Sequence, residues 1–231
     1  MSLLEAVIGW VAPPRCVACG QEGSALCVAC STSEIIPYGQ QCWLCNRMSI
    51  GGRTCPKCRA GGSPRFVWIT SNYDGAARDL IKVYKFGHQR AAAKNLAQLM
   101  VETLHDFKNP AELTKLNYLI VPVPTATSRI RQRSFDHCAL LASTVSQQLG
   151  AECANGLGRQ GQSRQLGAKR SDRLSQQEDS YFVRLPRAIA GRNILLTDDV
   201  ATTGATLKAV TKVLRAAGAK RVDALVFAKR L

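Results

Sequence analysis

The chain has 231 residues, 46% of them apolar, enough for one core of ordinary size beside a smaller unit. It contains no run of about 18 apolar residues, which excludes a membrane-spanning helix by composition. The formal net charge is +15 and it is uneven: residues 1–60 hold five basic and three acidic side chains, residues 61–231 hold 26 and 13. Such a field attracts polyanions, whether nucleotide, pyrophosphate or nucleic acid, although charge alone does not separate that role from a merely soluble basic surface.

The opening stretch, MSLLEAVIGWVAPP, is mildly apolar, contains Glu5 and has no basic start or small-residue cleavage site. It predicts a short helix rather than a signal peptide, and hence a cytoplasmic protein. Eight of the ten cysteines then fall in four CxxC pairs: Cys16/Cys19, Cys27/Cys30, Cys42/Cys45 and Cys55/Cys58. One CxxC knuckle supplies two thiolates along an edge of a tetrahedron, and a second pair completes a Cys₄ zinc site. Without a secretion signal, metal is favoured over disulfides. Sequential pairing gives two structural zinc sites, Cys16, Cys19, Cys27, Cys30 and Cys42, Cys45, Cys55, Cys58; interleaved pairing is the alternative. Residues 1–60 are therefore expected to be a zinc-binding module whose folding depends on the metal. Trp43 is expected to cover a metal site.

The Gly/Ser/Pro-rich stretch Arg59–Arg65 is expected to be a linker. Beyond it, residues 66–231 alternate strand and helix patterns. Phe66–Tyr73 predicts a strand and Ala76–Phe86 a helix closed by Gly87. On that helix Arg78, Lys82 and Lys85 recur at helical spacing as one basic face. A second helix is expected over Arg90–Phe107, with a turn at Asn109-Pro110. Tyr118–Val121 predicts a buried strand, followed by a short loop carrying Arg129, Arg131 and Arg133. Arginine suits phosphate because its planar fork offers paired donors. A helix is then expected through Leu149. Leu157–Asp179 is polar and basic, with Arg164, Lys169, Arg170 and Arg173, and is expected to be either a lid or a strip that grips a nucleic-acid backbone.

The segment Asn193–Leu207 reads as strand, acidic pair, small hydroxyl-rich turn, helix. A helix N-terminus leaves N–H groups unpaired and carries partial positive charge, and a turn without bulky side chains lets a phosphate reach them. Asp198 and Asp199 would repel that phosphate, so they fit a neutral polyol or a hydrated Mg²⁺ beside it. A sugar 5-phosphate with free 2- and 3-hydroxyls matches both halves. Arg221–Ala228 closes the chain as a last strand. The alternation predicts a mostly parallel α/β sheet with its site at the strand C-termini.

The run TDDVATTGAT resembles the phosphoribosyl-pyrophosphate (PRPP) motif of the type I phosphoribosyltransferases. That resemblance implies ribose binding by Asp198 and Asp199, the candidate catalytic residues. It also implies 5-phosphate binding by Ala201, Thr202, Thr203, Gly204, Ala205 and Thr206, and pyrophosphate binding by Arg129, Arg131 and Arg133, with Mg²⁺ accompanying PRPP. Together with the CxxC set, YDGAARDLIKVYKFG (Tyr73–Gly87) and VPVPTATSRIRQRSFDH (Val121–His137), the chain resembles the ComF (competence protein F) family, including GntX-type proteins. This implies handling of imported single-stranded DNA in natural transformation or DNA utilisation. It is an expectation of role, not of a defined reaction. The family commonly has Arg-Gly-Phe-Asn-Gln where this chain has Arg133-Ser134-Phe135-Asp136-His137, placing a carboxylate and an imidazole near the anion site.

Two functions follow as expectations. In one, the protein is an active phosphoribosyltransferase. In the other it binds single-stranded DNA through Arg78, Lys82, Lys85, Arg164, Lys169, Arg170 and Arg173, while the zinc module docks a DNA-processing partner.

Overall fold

The computed structural model describes residues 13–87, 89–160 and 181–230. The expected N-terminal helix, His88 and most of the polar strip, including Arg164, Lys169, Arg170 and Arg173, lie outside the described residues.

Five parallel strands form the central sheet: β1 (Val67–Asn72), β2 (Tyr118–Pro122), β3 (Glu152–Cys153), β6 (Asn193–Ala201) and β7 (Arg221–Lys229), in the order β1-β7-β6-β2-β3. Strands β4 (Leu157–Arg159) and β5 (Tyr181–Val183) pair separately as an antiparallel ribbon. The near-continuous apolar character of β2, β6 and β7 follows from burial on both faces, as expected of a parallel sheet covered by crossover helices. One face packs on α3 (Gly75–Phe86), α4 (Ala92–Phe107) and α7 (His137–Leu149), through Leu80, Ile81, Leu96, Met100, Leu141 and Val145. The other packs on α8 (Pro186–Ile189), through Ile189, and on α9 (Ala205–Ala216), through Leu207, Val210 and Leu214.

Several local expectations shift. The three arginines do not lie on a loop: Thr127–Arg133 is a helix, α6, that ends at Ser134 in the left-handed region, φ 62°. Asn109 does not simply turn the chain. Its side chain accepts from the Glu112 N–H at 2.9 Å and caps α5 (Pro110–Leu116), with Pro110 at the first helical position where a missing N–H costs nothing. Strand β6 runs through the acidic pair to Ala201, because β7 continues to pair with it, Asp198 opposite Val226 and Ala201 opposite Lys229. Leu157–Arg159, expected within the polar loop, pairs with Tyr181–Val183.

The cysteine segment contributes α1 (Val28–Ser33), a short 3₁₀ turn at Ile50–Gly52 and α2 (Pro56–Ala60). It lies along the free edge of β1. Pro37 bridges Ser71, Arg53 bridges Phe66, and the Tyr38 N–H donates to the Thr70 carbonyl at 3.0 Å. An uncovered edge strand is a template for unwanted pairing, and this segment covers it. Cys16, Leu26 and Ile35 enter the core on the α3/α4 face, whereas Cys42 and Trp43 enter the core on the α9 face. The stretch expected to be a linker is tied into the sheet: Ser63 is buried, the Thr54 N–H donates to the Arg65 carbonyl, and the Arg65 N–H donates to that of Val222.

Candidate functional site

Strands β2 and β6 are neighbours, yet their onward connections diverge. The path from β2 goes through α6 and α7 to β3; the path from β6 goes through α9 to β7. Such a switch point opens a crevice at the strand C-termini, where parallel α/β sheets bind ligands. Asp198 and Asp199 lie there on β6, and α6 begins just beyond β2.

Along β6, Leu195 faces the α3/α4/α7 core, while Ile194 and Leu196 face the α9 core. Asp199 shares the parity of Leu195, and its Oδ2 meets that side: Lys85 Nζ of α3 at 2.7 Å and His137 Nε2 of α7 at 3.1 Å. Burial alone would raise the Asp199 pKa. The Lys85 charge and the His137 contact outweigh it and hold the carboxyl below the usual carboxylate range. Asp198 takes the opposite course. Burial, with the adjacent Asp199 charge, pushes its pKa up to about 7. Its Oδ1 accepts from the Asp199 N–H at 2.9 Å and lies 3.6 Å from the Cys138 thiol. The pair thus divides into one firmly ionised carboxylate and one poised near neutrality.

His137 is bracketed. The Arg133 guanidinium is 2.9 Å from its Nδ1, and the Tyr84 hydroxyl donates to its backbone carbonyl. Arg133 is buried and its guanidinium lies 4.9 Å from the Phe86 ring centre. Burial pushes the Arg133 pKa down, and the Asp199 charge opposes that shift. Arg129 and Arg131 lie on the exposed side of α6. Asp136 turns away from any anion: it caps α7 by accepting from the Ala139 N–H at 3.1 Å and from the Thr125 hydroxyl at 2.9 Å.

The second half of the crevice is the loop into α9. Gly204 is the N-cap, at φ 79°, a conformation that side-chain-bearing residues seldom adopt. Thr202 and Thr203 are exposed; the Ala205 N–H donates weakly to the Thr203 Oγ1 at 3.5 Å, at the N-terminal turn of α9 where helix geometry leaves N–H groups without an intrahelical partner. Lys229 braces the loop from the end of β7, donating to the Thr202 carbonyl and, at 3.0 Å, to that of Arg230. Gly204 is also packed from behind. A Cβ there would lie 2.5 Å from a Trp43 ring carbon and 2.7 Å from a Leu44 methyl. Those residues form the knuckle between Cys42 and Cys45. Trp43 is fixed by its own hydrogen bond, Nε1 to the buried Thr54 hydroxyl at 3.0 Å.

The cysteines group sequentially. Sγ atoms of Cys16, Cys19, Cys27 and Cys30 lie within 4.8 Å of one another, as do those of Cys42, Cys45, Cys55 and Cys58. Four thiols at that spacing fit a tetrahedral zinc ion in each group. Burial works against thiolate formation at Cys42, yet N–H groups of Cys55, Leu44 and Cys45 aim at its sulfur and lower its pKa to about 7. Cys16 is lowered to about 6 in the same way, against burial, by N–H groups of Cys19, Cys27 and Ala18. The opposite shift falls on the second pair of each quartet, where the neighbouring thiols and burial push Cys30 and Cys58 up. His137, Cys138 and Asp199 also converge within 4.8 Å, but Lys85 and Arg133 crowd that group with positive charge.

The expected basic face of α3 is divided. Arg78 Nε and Lys82 Nζ both reach Asp79 Oδ1, at 3.1 and 3.2 Å, and Lys85 turns into the acidic pair. Helical periodicity placed these residues on one face but could not see that Asp199, far along the chain, would draw Lys85 inward. Lys229 is the site residue that local pattern missed; Lys85, His137 and Trp43 stand out in the sequence as a basic-face cation, an imidazole near the anion site and a metal cover, and the fold supplies their partners Asp199 and Gly204.

The family model for the phosphoribosyl transferase domain matches residues 136–231. Over longer stretches the chain is 28% identical to competence protein ComFC of Streptococcus pneumoniae, covering 90% of this chain and 96% of that protein. It is 26% identical to competence protein F of Haemophilus influenzae, covering 90% and 94%, and 26% identical to DNA utilization protein YhgH of Escherichia coli K12, covering 86% and 94%. Among the described residues no helix is long and apolar enough to cross a membrane. A parallel sheet carrying the acidic pair and glycine–threonine loop at one switch point, with two cysteine quartets along its edge, thus belongs to a chain that is similar over most of its length to competence protein F, ComFC and YhgH, and whose residues 136–231 match the phosphoribosyl transferase domain.

Proposed function

We propose that this is a ComF-type protein that handles single-stranded DNA in natural transformation or DNA utilisation and keeps a working PRPP-type site. The observation that carries the site is the meeting of two halves at one crevice: the Asp198–Asp199 pair on β6 and the open N-terminus of α9. The loop Ala201–Thr206 would receive the 5-phosphate on its N–H groups and on the Thr202, Thr203 and Thr206 hydroxyls. Asp198 and Asp199 would accept from the ribose hydroxyls. A hydrated Mg²⁺ accompanying PRPP would supply charge to the pyrophosphate. Its own charge would compete with Lys85 for Asp199. The DNA role rests on the homologues named for competence and DNA utilisation, aligned over most of their length. In this reading residues 1–60 form a zinc-dependent module that also offers a surface to a DNA-processing partner, and residues 66–231 carry the sugar-phosphate site.

A second reading is transfer of ribose 5-phosphate from PRPP to a base or another nucleophile. It is favoured by Arg129 and Arg131, exposed on α6, the helix whose Arg133 reaches His137 beside Asp199, where they could pair with departing pyrophosphate. The protein would then act by positioning and by stabilising the developing charge.

Calorimetric titration of zinc-loaded protein with PRPP, with and without Mg²⁺, tests the site. Saturable, Mg²⁺-dependent binding that is lost in Asp198→Asn/Asp199→Asn is the expected result. Retention of normal affinity in that variant overturns the assignment. Turnover with a panel of bases then separates the two readings.

A further inference from the structure

The N-terminal end of the sheet carries a cluster of cations. A cavity of about 600 Å³ opens there, where the second cysteine quartet, the stretch joining it to β1, and the end of α9 converge. Its lining includes Arg53, Thr54, Arg59, Arg65, Arg215 and Lys220, and neither a carboxylate nor an aromatic ring. Arg53 and Arg59 come from the cysteine segment, Arg65 precedes β1, Arg215 is in the last turn of α9, and Lys220 precedes β7. Strands β1 and β7 are parallel, so this cavity lies at the end opposite the acidic pair. Helix α9 links the two: its N-terminus faces the PRPP-type site and its C-terminal turn, about 18 Å away, faces the cavity.

These cations are not neutralised from within. Among the described residues none of the five forms a salt bridge, although Arg215 donates to the Ser63 carbonyl at 2.9 Å. The nearest buried carboxylate, Asp223, is already engaged by Arg221, the Tyr118 hydroxyl and the Phe66 N–H. Burial and the adjacent Arg59 guanidinium push the Arg215 pKa down, and the Asp223 charge opposes them without reversing the shift. The contrast with α3 is direct, since its arginine and two lysines are spent on Asp79 and Asp199.

We propose that this cavity is the entry point for the phosphodiester backbone of single-stranded DNA. The five cations supply the charge an extended polyanion needs. The lack of rings and carboxylates in the lining leaves little to stack on or read a base, which suits binding without sequence preference. The proposal rests on the DNA-handling reading for the identity of the polyanion, and it assigns the contact to the second quartet and α9 rather than to α3.

The test is fluorescence anisotropy of a labelled oligothymidylate with the zinc-loaded full chain across a salt series. Arg53→Gln/Arg59→Gln/Arg215→Gln should weaken binding at least about tenfold at moderate salt. It should also flatten the slope of log K against log salt by about 2, from three lost phosphate contacts at roughly 0.7 each. Arg78→Gln/Lys82→Gln should change affinity less than about twofold. Retained zinc content and circular dichroism verify that the triple variant is folded. If it is not, arginine modification by phenylglyoxal in the unaltered protein replaces it: DNA should protect Arg53, Arg59 and Arg215. Wild-type affinity and slope in a folded triple variant, or equal modification with and without DNA, overturn the cavity assignment and leave the DNA-handling reading standing. A wild-type protein with no salt-dependent DNA binding overturns both.

Discussion

The two cysteine quartets have matching chemistry and different neighbours. The first, Cys16 to Cys30, packs its apolar residues into the core shared with α3 and α4. The second, Cys42 to Cys58, places Trp43 and Leu44 directly behind Gly204, the residue that turns β6 into α9. A zinc ion in the first would hold one face of the sheet edge. A zinc ion in the second would also hold the geometry of the glycine–threonine loop. Equal ligand sets therefore need not have equal consequences, because what a metal stabilises depends on what its knuckle touches.

Removing each quartet separately would break that comparison most sharply. Cys42→Ser/Cys45→Ser should cost one zinc per chain and weaken PRPP binding at least about tenfold. Cys16→Ser/Cys19→Ser should cost one zinc and leave PRPP affinity within about threefold in whatever fraction stays folded. Zinc content and calorimetry read both; equal PRPP losses would show that the quartets act only through global folding. Complete chelation should unfold much of the cysteine segment, since structural zinc contributes about 10 kcal/mol or more in small modules.

The knuckle–loop contact can also be attacked from each side. Trp43→Ala empties a fully buried indole site and leaves the Thr54 hydroxyl without its donor, for about 3–5 kcal/mol of stability by chemical denaturation. Gly204→Ala should cost about 1–2 kcal/mol from its backbone conformation alone, with more from overlap with the indole. Its effect on PRPP affinity should exceed that of an equally destabilising core change, such as Leu141→Ala. No excess would disconnect the loop from the knuckle.

The acidic pair sharpens the picture through pH. Asp198 is raised to about 7 and Asp199 is depressed, so Asp198 is the group that titrates near neutrality. A carboxyl whose folded pKa exceeds its unfolded value near 4 contributes stability that is full below about pH 4 and lost as pH rises through 7. Ligand binding has the opposite sign: PRPP affinity in the presence of Mg²⁺ should increase from pH 6 to 8 as Asp198 ionises. Asp198→Asn should lose that component of the profile as well as most of the affinity. An unchanged profile in that variant would place the titrating group elsewhere.

The smallest expected effect is at the end of α6. Ser134 occupies the left-handed region at φ 62°, where the resembled family commonly has glycine. Ser134→Gly should stabilise the protein by up to about 1 kcal/mol, measured by denaturation, because relief of strain is partly offset by the freer unfolded chain. Destabilisation would mean that the serine side chain holds α6 in a way its backbone angle does not reveal.

Much was legible in the chain because the determinants are local. CxxC spacing sets two thiols on one knuckle whatever surrounds them. Alternation of apolar strands and amphipathic helices dictates a parallel sheet, and a strand–acid–glycine–threonine–helix order places two carboxylates and a glycine–threonine turn together at one strand C-terminus. Other features depended on residues far apart in sequence. Lys85 reads as a surface cation until β6 brings Asp199 to 2.7 Å from it. His137 reads as an isolated helical histidine until Arg133 and Asp199 enclose it. Trp43 reads as a cover for its own metal until α9 places Gly204 against its ring. Arg53, Arg59, Arg65, Arg215 and Lys220 are scattered over more than half the chain, and only the parallel pairing of β1 with β7 and the antiparallel run of α9 gather them around one cavity. The sequence by itself determined the thiol quartets, the glycine–threonine turn and the layered fold, since those follow from neighbours a few residues apart. Tertiary structure alone decided which charges are neutralised and which are left open, because electrostatic interaction depends on distance in space and on burial, and neither is encoded by spacing along the chain.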